Sequence, residues 1–109
     1  MAAVAAFGAL AQPTRLSVFR LLMQVGLTGE AAGVIAERLA IPHNTLSTHL
    51  GILRRAQLIG ARREGRSIRY FVDVDGTRRL LSFLVTDCCN GRPELCAPLA
   101  DIVEQASCC

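Results

Sequence analysis

Three of the five cysteines lie in the stretch CCNGRPELC, residues 88–96, and the other two, Cys108 and Cys109, end the sequence. Thiols clustered in this way have three uses: a disulfide framework, a redox pair, or a site for a soft metal or metalloid. An odd total fits a disulfide framework poorly. A redox switch wants an exposed thiolate of low pKa with a resolving partner, whereas the neighbouring Asp87 and Glu94 favour the protonated thiol. Soft thiolates select soft ions, while Mg²⁺ and Ca²⁺ prefer oxygen. Structural zinc sites more often use two Cys-x-x-Cys pairs or Cys/His sets, and this spacing is neither. Adjacent side chains differ by ~100° on a regular helix, so Cys88 and Cys89 can aim at one centre where a helix frays. Gly91 and Pro93 let the chain turn back toward it with Cys96. For any one of these residues, burial in a core is the plainer use.

The elements that must position these thiols belong to one domain of 109 residues, 51% hydrophobic but only 5% aromatic, so the core is aliphatic. Nothing approaches the ~18 consecutive apolar residues of a membrane span. The start, MAAVAAFGALAQ, lacks the basic n-region of a signal peptide and reads as an Ala-rich helix over 3–11. A cytoplasmic protein with reduced thiols is expected. All twelve basic residues are arginine, and they are unevenly spread: residues 41–72 carry six against one acid, Glu64, whereas residues 73–109 carry three against six acids. A basic middle points to a polyanion partner, or to a solvated arginine face.

In PTRLSVFRLLMQVG, Pro13 suits a first helical position, Leu16, Phe19, Leu22 and Met23 recur at helical spacing, and Gly26 ends the run. Thr28 is expected to cap the next helix, with Glu30 in its first turn and Ala31, Val34, Ile35 and Leu39 as its buried stripe. After the short break AIPH, a third helix, HNTLSTHLGILRRA, places Leu46, Leu50 and Leu53 within about 60° of one another. Turning those three inward sends Asn44, Thr48, Gly51 and Arg55 outward, with Thr45 and Ser47 on the flanks. The outward face has no acid, which an ordinary solvent-facing helix would carry and a helix lying against nucleic acid would not. His49 falls nearer the buried stripe. Two extended runs, 58–63 and 67–74, then flank the turn EGR, whose Gly65 is free to adopt positive φ. Arg62, Arg63 and Arg66 crowd this tip. A last, strongly apolar helix is expected from near Asp75 to Asn90-Gly91. The order is that of a winged helix-turn-helix, in which one helix enters the major groove and the hairpin reaches along the backbone.

Three stretches, QPTRLSVFRLL, VIAERLAIPHNTLSTHLGILRRAQLI and RREGRSIRYFV, occur in the order found in ArsR-type metalloregulatory repressors, and residues 7–89 resemble that family. The resemblance implies a mainly α, α+β winged helix-turn-helix with a two-stranded β-hairpin wing, forming a homodimer through its first and last helices. It also implies repression of the protein's own operon and release of double-stranded operator DNA when a metal or metalloid binds. Over the single domain 1–109 it implies a helix-turn-helix at about 28–56, a wing at about 58–74, dimer helices at about 3–11 and 75–90, and an effector-binding segment 88–109. The family's base-reading positions correspond to His43, Asn44, Ser47 and Thr48, with Thr45 beside them, and its wing phosphate contacts to Arg62, Arg63 and Arg66. One family arsenic site, a Cys-x-Cys pair, would fall on Ala31 and Gly33, and a family zinc site needs histidines this chain lacks outside His43 and His49.

Arsenic-responsive members of the family carry a vicinal pair where Cys88 and Cys89 stand. The resemblance therefore implies As(III), with Sb(III) sharing its chemistry, as effector on Cys88, Cys89 and Cys96, to which Cys108 and Cys109 can add ligands. A cadmium or lead sensor and a thiol redox-sensing repressor use the same scaffold and stay open. A thiol enzyme such as an arsenate reductase needs a Gly-rich anion loop or a Cys-His arrangement, which the sequence does not offer, so neither an enzyme nor a catalytic cofactor is expected.

Overall fold

The computed structural model describes residues 3–84 and residue 94, and the chain divides into two compact units, residues 1–77 and 78–109. In chain order the elements are α1 (Ala3–Leu10), α2 (Pro13–Val25), β1 (Glu30–Ala31), α3 (Ala32–Leu39), α4 (His43–Arg55), β2 (Ile59–Glu64), β3 (Ser67–Val72) and α5 (Val74–Ser82). The three strands form one antiparallel sheet in the order β1-β3-β2. This is the mainly α winged helix-turn-helix expected from the residues.

Helix α2 starts where Pro13 predicts: Gln12 is extended, and its side-chain oxygen accepts the Arg15 backbone N–H at 2.8 Å. Gly26, at φ 83°, ends the helix and donates its N–H to the Leu22 carbonyl at 3.2 Å. The core of the first unit is aliphatic, with Val18, Leu22, Ile35, Leu46, Leu50, Leu53 and Leu58 fully buried. Removing each such side chain from water contributes on the order of 2 kcal/mol. On α4 the predicted inward stripe of Leu46, Leu50 and Leu53 is the one observed. On α2 it is only partly so. Phe19 and Leu22 are buried, but Leu16 and Met23 stay 43% and 54% exposed while Val18 and Leu21 turn inward. On α3, Ile35 is buried with Ala36, whereas Val34 is exposed and Leu39 and Ala31 only half-buried.

The largest departure lies before α3. Thr28 makes no cap, and Glu30 and Ala31 are not helical: they form β1, paired with Tyr70 and Arg69 of β3. The expected β2–β3 hairpin wing is present, and β1 joins it as a third strand. Gly29, at φ 73°, makes this possible, because a Cβ there would run into the Tyr70 carbonyl. The hairpin itself is tighter than expected. Glu64 pairs with Ser67, leaving only Gly65 and Arg66 in the turn, and Gly65 takes φ 62°. At the start of α5 the Asp73 carboxylate accepts the Gly76 N–H at 2.9 Å, and Gly76 lies so close to the Gln57 carbonyl that no side chain would fit. Beyond residue 84, the rest of the expected last helix and Cys88, Cys89, Cys96, Cys108 and Cys109 lie outside the described residues.

Candidate nucleic-acid interface

Helices α3 and α4 are joined by three residues whose backbone does the turning. Ala40 adopts the left-handed conformation at φ 54°, donates to the Glu37 carbonyl at 3.3 Å, and is followed by Ile41 donating to the Ala36 carbonyl at 2.9 Å. Pro42, fixed at φ −58°, then carries the chain into α4, and its carbonyl accepts the first helical bond from Leu46 at 2.9 Å. No side chain caps this helix start. An open groove of about 430 Å³ lies at the elbow, lined by Gly33, Ala36, Glu37, Ala40, Ile41, Pro42 and His43. Among the described residues no three His, Cys, Asp or Glu side chains come together as a metal site.

With its leucines inward, α4 presents His43, Asn44, Thr45, Ser47 and Thr48 to the exterior, and all five are exposed. Their local bonds stay within the helix start: the Asn44 side-chain oxygen accepts the Thr45 N–H at 2.9 Å, and the Thr48 hydroxyl donates to the Asn44 carbonyl at 3.3 Å. The Asn44 amide nitrogen has no partner among the hydrogen bonds found in the described residues, so it is available to a base edge. Arg54 and Arg55 close the helix, exposed, where their charge also complements the helix dipole.

The wing arginines divide into two kinds, which their crowding in the sequence does not reveal. Arg62 and Arg69 face each other across β2 and β3, an unfavourable pairing of like charges. Glu64 resolves it. Its carboxylate accepts Arg62 Nε at 3.2 Å on one oxygen and Arg69 Nε at 3.1 Å on the other. The bonds from Arg62 first, and then Arg69, hold the Glu64 carboxyl below its ordinary pKa of 4.5. Arg62 also donates to the Thr28 carbonyl at 3.4 Å and lies 5.4 Å from the centre of the Phe71 ring. Arg69 donates to the Gly29 carbonyl at 2.9 Å, so both side chains stitch the wing to the turn before α3. Arg63 and Arg66, by contrast, are exposed and make no hydrogen bond or ion pair among the described residues. The only acid of residues 41–72 is therefore shared by Arg62 and Arg69, Arg69 also lies 4.0 Å from the Glu30 carboxylate, and Arg63 and Arg66 are left without an ion pair among the described residues.

His49 is half-buried, as its place beside the leucine stripe predicts, and its Nδ1 lies 3.3 Å from Arg15 Nη1. Sequence reasoning gave Arg15 no role. Its only visible signal is a cation placed early in α2, between apolar positions.

Several known proteins resemble this chain. A family model described as a helix-turn-helix domain matches residues 10–59. An uncharacterised HTH-type transcriptional regulator of Methanocaldococcus jannaschii is 32% identical over 78 residues, which cover 72% of this chain and 85% of that protein. The transcriptional repressor SdpR of Bacillus subtilis is 34% identical over 82 residues, or 72% of this chain and 88% of the repressor. Among solved structures, the homodimeric winged helix-turn-helix DNA-binding domain of a possible ArsR-family regulator from Mycobacterium bovis shares 32% of its residues with this chain. The two superpose with a TM-score of 0.65 over 79% of each.

Proposed function

Because this chain belongs to the ArsR-type winged helix-turn-helix transcriptional regulators, we propose that it is a homodimeric repressor of operator DNA that lets go when its cysteines bind trivalent arsenic. The observation that carries the DNA half is the contrast within one surface: an exposed, acid-free face on α4 beside a β2–β3 hairpin whose one acid is already paired. In this reading His43, Asn44, Thr45, Ser47 and Thr48 meet base edges, with Asn44 offering an amide suited to adenine. Arg63 and Arg66 neutralise phosphates directly. Arg62 belongs to the same contact set but acts mainly by holding the wing in shape.

The effector half rests on the thiols of Cys88, Cys89 and Cys96 and on their soft-ligand chemistry. Bound there, trivalent arsenic or antimony supplies a soft centre that accepts three sulfurs. Two recognition helices must sit about one DNA turn, ~34 Å, apart to enter successive major grooves, so a change at the dimer helices spoils the fit. A coupling of ~1–3 kcal/mol weakens DNA binding roughly 5- to 150-fold.

The test is fluorescence anisotropy of the fully reduced protein on the DNA upstream of its own gene, titrated separately with As(III), Cd(II) and peroxide. Release by As(III) alone, abolished in Cys89→Ser with DNA binding intact, is the expected result. Release by Cd(II) or by peroxide instead would reassign the effector. Binding indifferent to all three would remove the sensor role and leave the DNA-binding one.

A further inference from the structure

Arg15 lies outside the proposed DNA contacts, yet its guanidinium reaches two helices from a third. It sits in the first turn of α2. Its Nε donates to the Ala9 carbonyl at 2.6 Å and its Nη2 to the Gly8 carbonyl at 3.5 Å, both in the last turn of α1. Its remaining arm, Nη1, meets Nδ1 of His49 on α4. Helix α1 packs against both α2 and α4, and these residues all lie in the first compact unit.

We infer that Arg15 is a positioning residue that sets the recognition helix from the end of α1, through His49. Helix α1, at eight residues and with no charged side chain in its first or last turn, is too short to hold itself; of its last carbonyls, that of Gly8 accepts the Ala11 N–H at 3.2 Å and that of Ala9 is met by Arg15. Arg15 supplies two donors and a positive charge at the negative end of that helix. A guanidinium is planar, so its donors keep a fixed angle to one another. When two of them are held by α1, the direction of the third is set, and with it the place where His49 finds its bond. His49 directly follows Thr48, whose side chain is on the exposed face. A shift of the α1 end is therefore passed to the surface meant for DNA. The bond also fixes the ring's chemistry. Arginine has no acceptor, so when this bond forms the ring is neutral with Nδ1 accepting and its one proton on Nε2. A lysine at position 15 would keep the charge but lose the fork.

This inference rests on α4 being the recognition helix and not on the identity of the effector. The test compares His49→Phe, His49→Gln, Arg15→Lys and the double variant Arg15→Lys/His49→Phe. Anisotropy on the upstream DNA, far-ultraviolet circular dichroism, and ¹⁵N shifts of the His49 ring are read together. His49→Phe cuts only the link and leaves both bonds to α1, so it should retain helical content yet bind DNA at least about fivefold more weakly. His49→Gln, whose side-chain oxygen can accept from Nη1, should recover most of that loss. Arg15→Lys should weaken binding similarly, and the double variant should be no worse than either single one, because both break one connection. In the wild type the ring shifts should report a bare Nδ1. His49→Phe binding like the wild type, losses that simply add, or a proton on Nδ1 would each overturn the inference while leaving DNA binding standing. A wild type that binds no duplex would overturn both readings.

Discussion

Arg66 and Arg62 stand four residues apart at the same wing, and the structure predicts that neutralising them has different consequences. Arg66 is in the turn, exposed, and without a partner among the described residues. If it meets a phosphate, Arg66→Gln removes one contact per subunit and two per dimer. Each neutralised phosphate contributes about 0.9 to the slope of log K against log salt, so the slope should flatten by about 1.8. In affinity at 0.1 M salt, each lost contact is worth about eightfold by the same relation, or roughly 60-fold for the dimer. Arg62 is different because it is held at 3.2 Å by the Glu64 carboxylate that it shares with Arg69, and its other contacts are to Thr28 and Phe71. Arg62→Gln should change the slope by less than half as much. Its cost should fall instead on the fold, seen as a small fall in Tm, because an exposed pair contributes little. The assay is anisotropy on a random-sequence duplex at several salt concentrations, which reads the phosphate contribution without knowledge of the operator. Equal slope changes for the two variants would refute the division of the wing arginines. No change in either would remove the wing from the interface.

Two further outcomes follow from the backbone and from the Glu64 pairing. Gly29→Ala should destabilise the protein by more than about 2 kcal/mol, because it combines a left-handed φ with a collision against the Tyr70 carbonyl, and urea unfolding with a midpoint near that of the wild type would contradict the β1–β3 docking. The Glu64 carboxyl, held below 4.5 by Arg62 and Arg69, should titrate below the ordinary value by carboxyl-carbon NMR. Because its folded pKa is depressed, its pairing contributes fully above the unfolded value and is lost as pH falls through the folded one. Arg62→Gln should move that midpoint up, and an unmoved midpoint would mean that the pairing is not formed in solution.

What was legible in the sequence depended on how one-sided each segment is. In α4 three leucines stand among polar residues, so only one orientation buries them, and the exposed face follows from that. Helix α2 is apolar on several sides, and periodicity alone could not choose Val18 and Leu21 over Leu16 and Met23; the neighbours it packs against made the choice. Strand β1 is two residues long, too short to show alternation, and the Thr28-Gly29 pair before it also reads as a helix cap. Only its distant partner, Tyr70, makes it a strand. The arginines at the hairpin tip were visible as a cluster, but their division into paired and unpaired required the register that sets Arg62 opposite Arg69. Arg15 was invisible for a similar reason, since its three bonds go to residues six, seven and 34 positions away.

Strand β1 has one more effect. Through it, and through the bonds from Arg62 and Arg69 to the Thr28 and Gly29 carbonyls, the sheet and the entrance to α3 are sewn into one piece. On the proposed reading, the tip that holds phosphates is then tied to the helix pair that carries α4, and within a subunit the two form a gauge of constant length. On that reading a half-site is gripped as a whole, and the separation between the two half-sites is the dimension that a change between subunits can vary. Regulation that acts between subunits would alter which spacing fits and leave untouched the letters that each subunit reads.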